Sequence, residues 1–402
     1  MKVLIADKFQ ANGIEALKAA GCDVIFEPDT TADTMAPALS AHQPNVLIVR
    51  STKVTNAAIE QGDKLSLIVR AGAGYDTIDI LGASRRGIYV ANCPGKNSIA
   101  VAELAWGLIL ACDRRIPDQT ADLRNRVWNK KEYSRAGGLF GRTLGIVGAG
   151  KIGMEVAKRG QAFGMHVIAW SRSLTETKAN ELGIGYCAEL IELAQHSDVI
   201  SVNVAANAET QNLINQEMIA AMRPGAFLIN TSRGSVVDQD ALAAAIQEKG
   251  IRAGLDVFSN EPGSGDQEFC ESIVELPGVF GTHHVGASTD QAQAAIADEA
   301  VRVILSYLET GNVENCVNIA KTTPANCLLT VRHLNLPGVL SHVFQVIGDA
   351  KINVEEMQNV IYDGAEAACA KIQLGKELSP EAIETIQSNT NILSLELTRL
   401  AT

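Results

Sequence analysis

The sequence lacks several features that would place the protein in a special class. No apolar run approaches the roughly 18 residues of a membrane-spanning helix. The chain begins with the strand-like KVLIA, without a basic leader before an apolar stretch. Positive charge is in deficit, since 34 Lys and Arg oppose 46 Asp and Glu, a net charge of −12. Nucleic-acid-binding proteins usually present a basic face, so this balance argues against one.

Paired cysteines are also missing. The eight cysteines are scattered, with no C-x-x-C pair and no spacing typical of metal ligands, so we predict no metal site. They are interpreted as reduced, mostly buried thiols. The 47% hydrophobic and 20% charged residues suit a globular chain with an ample core. We expect a cytoplasmic protein of two to three domains.

What is present is a regular alternation of strand-like and helix-like segments over the first ~290 residues. Short β-rich runs end in Gly, Asn, Ser or Asp, and stretches such as DQDALAAAIQEKG place apolar residues at helical spacing. This alternation predicts parallel sheets with helices on both faces, an α/β fold. The nine runs exceed one sheet of usual size, so two doubly wound domains are predicted. The runs are KVLIA, VLIVR, LSLIVRAGAG, GIYVAN, TLGIVGAG, HVIAWS, DVISVNV, AFLINTS and RAGLDV.

The last ~75 residues follow another pattern, the order βαββαβ of a ferredoxin-like unit. CLLTVRH predicts a strand, and PGVLSHVFQVIGDA predicts a helix with Pro337 at its first position. A hairpin and a short helix follow. In the final strand, ILSLELTRL, the side chains of Leu393, Leu395 and Leu397 are expected on one face. Residues 318–326 are a plausible linker before this unit.

The stretch GIVGAGKIG (145–153) predicts a dinucleotide-binding turn between a strand and a helix. Gly148 allows a tight turn, Gly150 lets the backbone approach a pyrophosphate, and Gly153 lets helix and strand pack closely. Lys151 and Ile152 begin the helix, whose N-terminus would hold the diphosphate. The alternative is a tight turn without a ligand.

The next strand ends in Ser171 and Arg172, where such units usually carry an acid for the ribose 2′-hydroxyl. Serine can donate a hydrogen bond to a phosphate, and arginine can pair with it by charge. The pair therefore favours NADP. Alternatively, Arg172 is a solvated turn residue and NAD binds without the acid.

Three further segments carry polar residues suited to hydride chemistry. INTSRGSVVD places Arg233 after a strand, GLDVFSNEP supplies Asp256 and Glu261, and THHVGAST places His283 and His284 in a loop. Together with VRAGAGYDTID, NSIAVAELAWGLIL and GIVGAGKIG, they resemble the D-isomer-specific 2-hydroxyacid dehydrogenase family. The resemblance covers nearly the whole chain, because the terminal unit is similar to an ACT domain.

The resemblance implies a catalytic set of Arg233, Glu261 and His284. His284 would exchange a proton with the substrate hydroxyl, Glu261 would orient and stabilise the ring, and Arg233 would bind the carboxylate or carbonyl. Singly, each has a plain explanation as a surface ion pair, a turn or a solvated loop residue. The family usually has Pro before the catalytic His; here that position is His283, which is interpreted as a spectator.

The resemblance also assigns binding residues. The N–H groups of the turn at 72–75 would bind the carboxylate, and basic residues after the second predicted strand would meet a substrate phosphate. A His-aliphatic-Pro loop common in the family reads Asn203, Val204, Ala205 here. The implied cofactor contacts beyond the glycine turn are Val204, Thr231 and Asp256, and the implied substrate contacts are Arg50, Lys53, Ala73, Gly74 and Asn97.

These resemblances imply oxidation of a phosphorylated 2-hydroxyacid, D-3-phosphoglycerate, with NAD or NADP, by a homodimer or homotetramer. A glyoxylate or hydroxypyruvate reductase is the alternative, and a nucleotide-sensing corepressor is less favoured. In the terminal unit, His333, Asn335 and Asn353 match residues that hold L-serine in serine-inhibited members; the alternative is a dimerisation module without its ligand. The expected domains are 1–96 with 288–316 for substrate, 97–287 for the dinucleotide, and 326–402 for regulation.

Overall fold

The computed structural model describes residues 1–262, 268–320 and 322–400. The chain divides into two compact units, Met1–Asn318 and Ile319–Thr402. The first unit has two parallel sheets, and the second has one antiparallel sheet. The α/β architecture predicted from the alternating runs is confirmed.

The elements are short in the first unit and longer in the second. The strands are β1 (Lys2–Ile5), β2 (Asp23–Phe26), β3 (Val46–Val49), β4 (Leu67–Arg70), β5 (Tyr89–Asn92), β6 (Thr143–Val147), β7 (His166–Trp170), β8 (Gly185–Tyr186), β9 (Val199–Val202), β10 (Phe227–Asn230), β11 (Arg252–Leu255), β12 (Val279–Gly281), β13 (Cys327–Leu334), β14 (Val354–Ile361), β15 (Ala367–Leu374) and β16 (Ile392–Arg399). The α-helices are α1 (Ala11–Ala19), α2 (Ala32–His42), α3 (Asn56–Ile59), α4 (Ile80–Arg85), α5 (Ser98–Arg114), α6 (Ile116–Arg124), α7 (Lys130–Tyr133), α8 (Lys151–Ala162), α9 (Glu176–Glu181), α10 (Leu190–His196), α11 (Gln216–Ala221), α12 (Gln239–Lys249), α13 (Asp290–Thr310), α14 (Val339–Asp349) and α15 (Pro380–Gln387). None of the described helices is long and apolar enough to cross a membrane.

The two parallel sheets have the strand orders of doubly wound folds. The first runs β2-β1-β3-β4-β5, and the second runs β12-β11-β10-β9-β6-β7-β8. In the second sheet the chain starts at β6, builds outwards to β8, and then returns to build from β9 in the other direction. Such a fold binds its ligand at the carboxyl ends of the strands, where the order reverses. That point lies between β6 and β9.

Helix α13 packs on the first sheet although it follows the second sheet along the chain. Its buried Ile296, Ala300 and Ile304 share one core with β1, β3 and β4. The nearby carboxylate of Glu299 is buried and accepts hydrogen bonds from Arg302 and Asn315, both at 2.7 Å, and pairs with Lys96 at 3.2 Å. The chain thus returns to the first sheet after completing the second.

The second unit has the predicted order βαββαβ, with its strands arranged as β14-β15-β13-β16. Val343 and Ile347 of α14 are buried against the sheet, as the helical pattern predicts. The placement of Pro337 at the first helical position is wrong. Gly338 adopts a left-handed φ of +89° and the helix begins at Val339, so Pro337 stands before the cap.

One face assignment in this unit is also wrong. Leu395 and Leu397 pack against the core, but Leu393 is exposed. The pairing of β13 with β16 is irregular there, since Arg332 pairs with Ser394 but His333 pairs with Ile392. Leu393 is the residue skipped in this pairing. The irregularity breaks the regular alternation of side chains along the strand, so Leu393 does not share the face of Leu395 and Leu397.

Candidate active site

The glycine-rich turn joins β6 to α8 in the predicted way. Gly148 has a φ of +96°, and a Cβ built there would lie 2.9 Å from Cγ1 of Val204. A Cβ at Gly153 would lie 2.1 Å from the carbonyl oxygen of Gly148, so only glycine allows helix and strand this close. A Cβ at Gly150 would meet no described atom within 4 Å. That open side leaves the backbone approachable at the N-terminus of α8.

The side chains of the first two residues of α8, Lys151 and Ile152, have different surroundings. The side chain of Ile152 is half-buried and packs against the core of the second sheet. Lys151 extends its Nζ to the carbonyl oxygen of Pro94 at 3.1 Å, in the segment that connects the first sheet to α5. The predicted dinucleotide turn therefore lies beside the segment that connects the first sheet to α5.

Ser171 and Arg172 follow β7, beside the glycine turn, where the N–H of Gly148 bonds to the carbonyl of Trp170 at 2.8 Å. Ser171 is half-buried and Arg172 is exposed. The guanidinium of Arg172 forms an ion pair with Glu209, which lies in the loop after β9. Sequence inspection missed this partner, because 37 positions separate the two residues.

Five buried side-chain atoms have no hydrogen-bond partner in the described part of the chain, and they lie at the end of β4 and in the loop after it, at the start of α5 and after β10. Buried polar groups are normally paired, so atoms left without a protein partner are positions at which a ligand could supply one. Two of them belong to predicted binding residues, Thr231 for cofactor and Asn97 for substrate. The atoms are Nε of Arg70, Oγ1 of Thr77, Oδ1 of Asn97, Oγ of Ser98 and Oγ1 of Thr231.

Asp256, at the end of β11, organises the loop that carries the histidines. Its buried carboxylate accepts hydrogen bonds from the Thr282 hydroxyl at 2.6 Å and from the N–H groups of Val285 and Gly286, both at 2.9 Å. Its carbonyl accepts from the N–H of His284 at 2.8 Å. The loop is thus held tightly enough to keep His284 at a left-handed φ of +52°.

Glu261 and His284 form a hydrogen-bonded pair. Oε2 of Glu261 lies 2.6 Å from Nδ1 of His284, and Oε1 accepts from the N–H of Phe258 at 2.8 Å. Burial would raise the pKa of Glu261, but the hydrogen bonds from His284 and Phe258 outweigh it, so the pKa lies below its ordinary value. The carboxylate is ionised at neutral pH, and since Nδ1 is occupied, Nε2 is the nitrogen left for proton exchange. His283 is exposed.

Arg233, after β10, is clamped by an acid from the other sheet. Its Nε and Nη2 donate to Asp76 at 3.1 and 3.0 Å, a bidentate pair. Burial would raise the pKa of Asp76, but Arg233 and the charge of Arg70 lower it overall. A Cβ at Gly74 would overlap Nη2 of Arg233, so the turn at 72–75 touches the guanidinium. Asp76 was not predicted, although it stands in the same glycine-rich stretch.

A second unpredicted residue, Arg70, adds positive charge beside this turn. Burial, followed by the charge of Arg233, lowers its pKa to about 10, with a further contribution from Arg50. It therefore stays protonated at neutral pH. Arg50 donates from Nη2 to the Ser288 hydroxyl at 3.3 Å, and burial lowers its pKa against the opposing charge of Asp7. The three arginines 50, 70 and 233 form a cationic cluster around the turn.

The other predicted substrate residues are placed differently. Lys53 is exposed, three positions after Arg50. The carbonyl of Ala73 accepts from Nδ2 of Asn92 at 2.6 Å, which fixes the turn to the end of β5. No group of three or more His, Cys, Asp or Glu suited to a metal ion occurs among the described residues.

The predicted effector residues do not meet within one chain. His333 is buried, with Nδ1 2.8 Å from the carbonyl of Leu334 and Nε2 3.3 Å from Oδ1 of Asn359. Asn335 donates to the carbonyl of Ala365 at 3.0 Å, at the same end of the sheet. Asn353 precedes β14 at the opposite end, because Val354 and Cys327 both pair with Leu374.

Comparison with known proteins identifies the family. Residues 106–286 match the family described as D-isomer specific 2-hydroxyacid dehydrogenase, NAD binding domain. A D-3-phosphoglycerate dehydrogenase of Methanocaldococcus jannaschii is 35% identical over 378 residues, which cover 94% of this chain and 70% of that protein. The chain belongs to the D-isomer-specific 2-hydroxyacid dehydrogenase family.

Other members of this dehydrogenase family resemble the chain as well. A hydroxypyruvate reductase of Thermotoga maritima is 43% identical over 266 residues, covering 66% of this chain and 85% of that protein. The structure of an NADPH-dependent glyoxylate/hydroxypyruvate reductase from Sinorhizobium meliloti, in complex with NADP and malonate, superposes with a TM-score of 0.67 at 29% identity. The superposition covers 79% of this chain and 96% of the reductase chain.

The predicted use of a nicotinamide dinucleotide is confirmed by the family match. The residues present fit such a cofactor. The approachable backbone at Gly150, the N-terminus of α8 and the unpartnered Thr231 hydroxyl lie at the carboxyl ends of β6 and β10. This dehydrogenase is therefore an oxidoreductase acting on a small hydroxyacid.

Proposed function

We propose that this dehydrogenase oxidises D-3-phosphoglycerate to 3-phosphohydroxypyruvate, the first step of L-serine synthesis. The observation that carries the proposal is the cationic cluster of Arg50, Arg70 and Arg233 around the turn at 72–75. A substrate with both a carboxylate and a phosphate needs more than one guanidinium, whereas glyoxylate carries a single carboxylate. The similarity to the D-3-phosphoglycerate dehydrogenase of M. jannaschii supports the same substrate.

The proposed roles at the turn follow from charge and geometry. Arg233 binds the substrate carboxylate and polarises the reacting carbon–oxygen bond, while Asp76 holds its guanidinium in one orientation. The backbone of Ala73 and Gly74 contributes N–H groups beside it. Asn97, with an unpartnered Oδ1, supplies a further substrate contact. Arg50 and Lys53 receive the phosphate, with Arg70 as a third cation.

The proton is moved by the histidine–carboxylate pair. Nε2 of His284 takes the proton of the C2 hydroxyl, and the ionised Glu261 at Nδ1 stabilises the charged ring that results. In the reduction direction the same nitrogen returns the proton. Because the hydrogen bond to Glu261 fixes the tautomer and orientation of the ring, the pair and not the ring alone is the proposed catalytic unit.

A bound dinucleotide would supply the acceptor for the hydride that leaves C2 of the substrate. In this proposal the residues of the glycine turn, 148 and 150–153, hold the diphosphate, and Ser171 and Arg172 lie at the adenosine ribose. Val204 and Thr231 border the nicotinamide side, and Asp256 positions both the catalytic loop and the carboxamide.

A reductase of glyoxylate or hydroxypyruvate is the second candidate, favoured by the 43% identity to the T. maritima hydroxypyruvate reductase. Comparing kcat/KM for phosphohydroxypyruvate, hydroxypyruvate and glyoxylate separates the two. Arg50→Gln should lower kcat/KM about tenfold or more for phosphohydroxypyruvate and little for glyoxylate, since a lost charged hydrogen bond costs about 1.5–3 kcal/mol. Phosphohydroxypyruvate no better than glyoxylate in the wild type would overturn the main proposal.

The proposal extends to the domains. Residues 1–96 and 288–316 form the substrate domain, supported by the packing of α13 on the first sheet, and residues 97–287 form the dinucleotide domain. Residues 326–402 form an ACT-like regulatory domain. Since Asn353 lies across the sheet from His333 and Asn335, an L-serine site built from all three needs two copies of this domain, consistent with a homodimer or homotetramer. Inhibition by L-serine that is lost in Asn353→Ala tests it.

A further inference from the structure

Three segments of the second sheet converge around the expected position of the adenosine ribose. The glycine turn contacts the end of β7 through the Gly148 N–H bond to Trp170, and it packs against Val204 after β9. The end of β7 presents Arg172 and no acid. The loop after β9 presents Glu209, which forms an ion pair with Arg172. A carboxylate is therefore present near the ribose position, but another strand's loop supplies it.

The loop that carries Glu209 is ordered by its own hydrogen bonds. Oδ1 of Asn207 accepts from the N–H of Glu209 at 2.9 Å and from the N–H of Thr210 at 3.1 Å. The buried hydroxyl of Thr210 donates to the carbonyl of Ala205 at 2.7 Å and accepts from the N–H of Asn207 at 2.9 Å. This turn fixes the backbone position from which the Glu209 side chain reaches Arg172.

We infer that Glu209 is a specificity-determining residue that limits the access of NADP to this site. Arg172 is the cation that would pair with a 2′-phosphate. Glu209 occupies it, and a phosphate carrying between one and two negative charges would also be repelled by the carboxylate. NAD, with a neutral 2′-hydroxyl, meets neither obstacle. The inference depends on dinucleotide binding at the glycine turn and not on which hydroxyacid is the substrate.

The test is the binding of NADH and NADPH to the full-length chain, followed by the quenching of protein fluorescence. Glu209→Gln removes the charge and keeps the shape, so the dissociation constant for NADPH should fall about three- to fivefold, as expected for an exposed charge acting on a phosphate. The constant for NADH should change less than twofold. Arg172→Gln should act in the opposite direction and weaken NADPH alone.

Two controls make the result decisive. Glu217→Gln removes an exposed acid from the first turn of α11 and should leave both constants unchanged. In the Arg172→Gln background, Glu209→Gln should lose most of its effect on NADPH, because the pairing partner is gone. An unchanged NADPH-to-NADH ratio in Glu209→Gln would overturn the inference. So would a full effect that persists without Arg172, or an equal shift in Glu217→Gln.

Discussion

Replacing Glu261 with Gln should disable the proton-transferring pair by reversing one hydrogen bond. The N–H of Phe258 donates to Oε1 at 2.8 Å, and only the amide oxygen of Gln can replace that acceptor. The amide nitrogen must then face Nδ1 of His284, where Oε2 stands at 2.6 Å in the wild type. An amide N–H donates, so Nδ1 must accept and Nε2 must carry the proton. In that tautomer Nε2 cannot take the proton of the substrate hydroxyl.

The expected loss can be bounded. An equivalent tautomer reversal in serine proteases lowers kcat about 10⁴-fold. His284 is 45% exposed, so water competes for Nδ1 and the expected loss here is about 10²- to 10³-fold in kcat. The assay is NADH formation from the hydroxyacid that the wild type oxidises fastest. NADH binding should be retained, because the residues proposed to hold the dinucleotide, among them the glycine turn, Thr231 and Asp256, are unchanged in this variant.

The kcat of His284→Gln and of the double variant shows whether Glu261 and His284 act together. That variant should lower kcat at least about 100-fold, with cofactor binding kept. Because the two residues act as one unit, the double variant should be no slower than His284→Gln alone. A loss smaller than about tenfold in Glu261→Gln, or multiplicative losses in the double variant, would refute the pair as the catalytic unit.

Three further predictions follow from the packing and the buried charges. Gly153→Ala should lower the free energy of unfolding, measured by denaturant titration, by about 1–3 kcal/mol, because the new Cβ would overlap the carbonyl oxygen of Gly148. Gly150→Ala should leave stability unchanged, because its Cβ would meet no described atom within 4 Å, and should weaken NADH binding. Asp76→Asn should lower kcat/KM about tenfold by loosening the guanidinium of Arg233, with the dissociation constant for NADH unchanged. Hydrogen bonds, above all the one from Arg302, hold the pKa of Glu299 at about 2, although burial opposes them. In the unfolded chain the pKa of a glutamate is about 4.3. The contribution of Glu299 to stability is therefore full above that pH and is lost as the pH falls towards 2. Glu299→Gln should therefore flatten the acid side of a plot of unfolding free energy against pH; an unchanged slope would contradict this.

The strands that the sequence did not reveal are all at sheet edges. β2, β8 and β12 end their sheets, while the nine predicted runs match the other strands of the first unit. A strand buried on both faces, such as β3 or β10, reads as a continuous apolar run. An edge strand such as β8 is exposed and short, so it carries no such run. An apolar run in the sequence reveals a strand only when the strand is buried, and these edge strands are less buried than the central ones.

The proposed catalytic residues could be singled out in the sequence because each follows a strand within a family motif. Their partners could not. Asp76, Arg70 and Glu209 gain their significance only from Arg233 and Arg172, which lie far away along the chain. Asn353 shows the converse, since a motif match grouped it with His333 although the sheet separates them.

By itself the sequence determined the α/β class, the βαββαβ unit and the glycine turn, because these depend on local spacing and on conformations that single residue types allow. Glu261 and His284 were singled out as candidates by the family motif. Only the tertiary structure decided which charges face one another. Folding brought an acid from the first sheet to Arg233 and an acid from the loop after β9 to Arg172. Charge pairing depends on distance in space, and parallel sheets place at one edge the strand ends that the sequence keeps far apart.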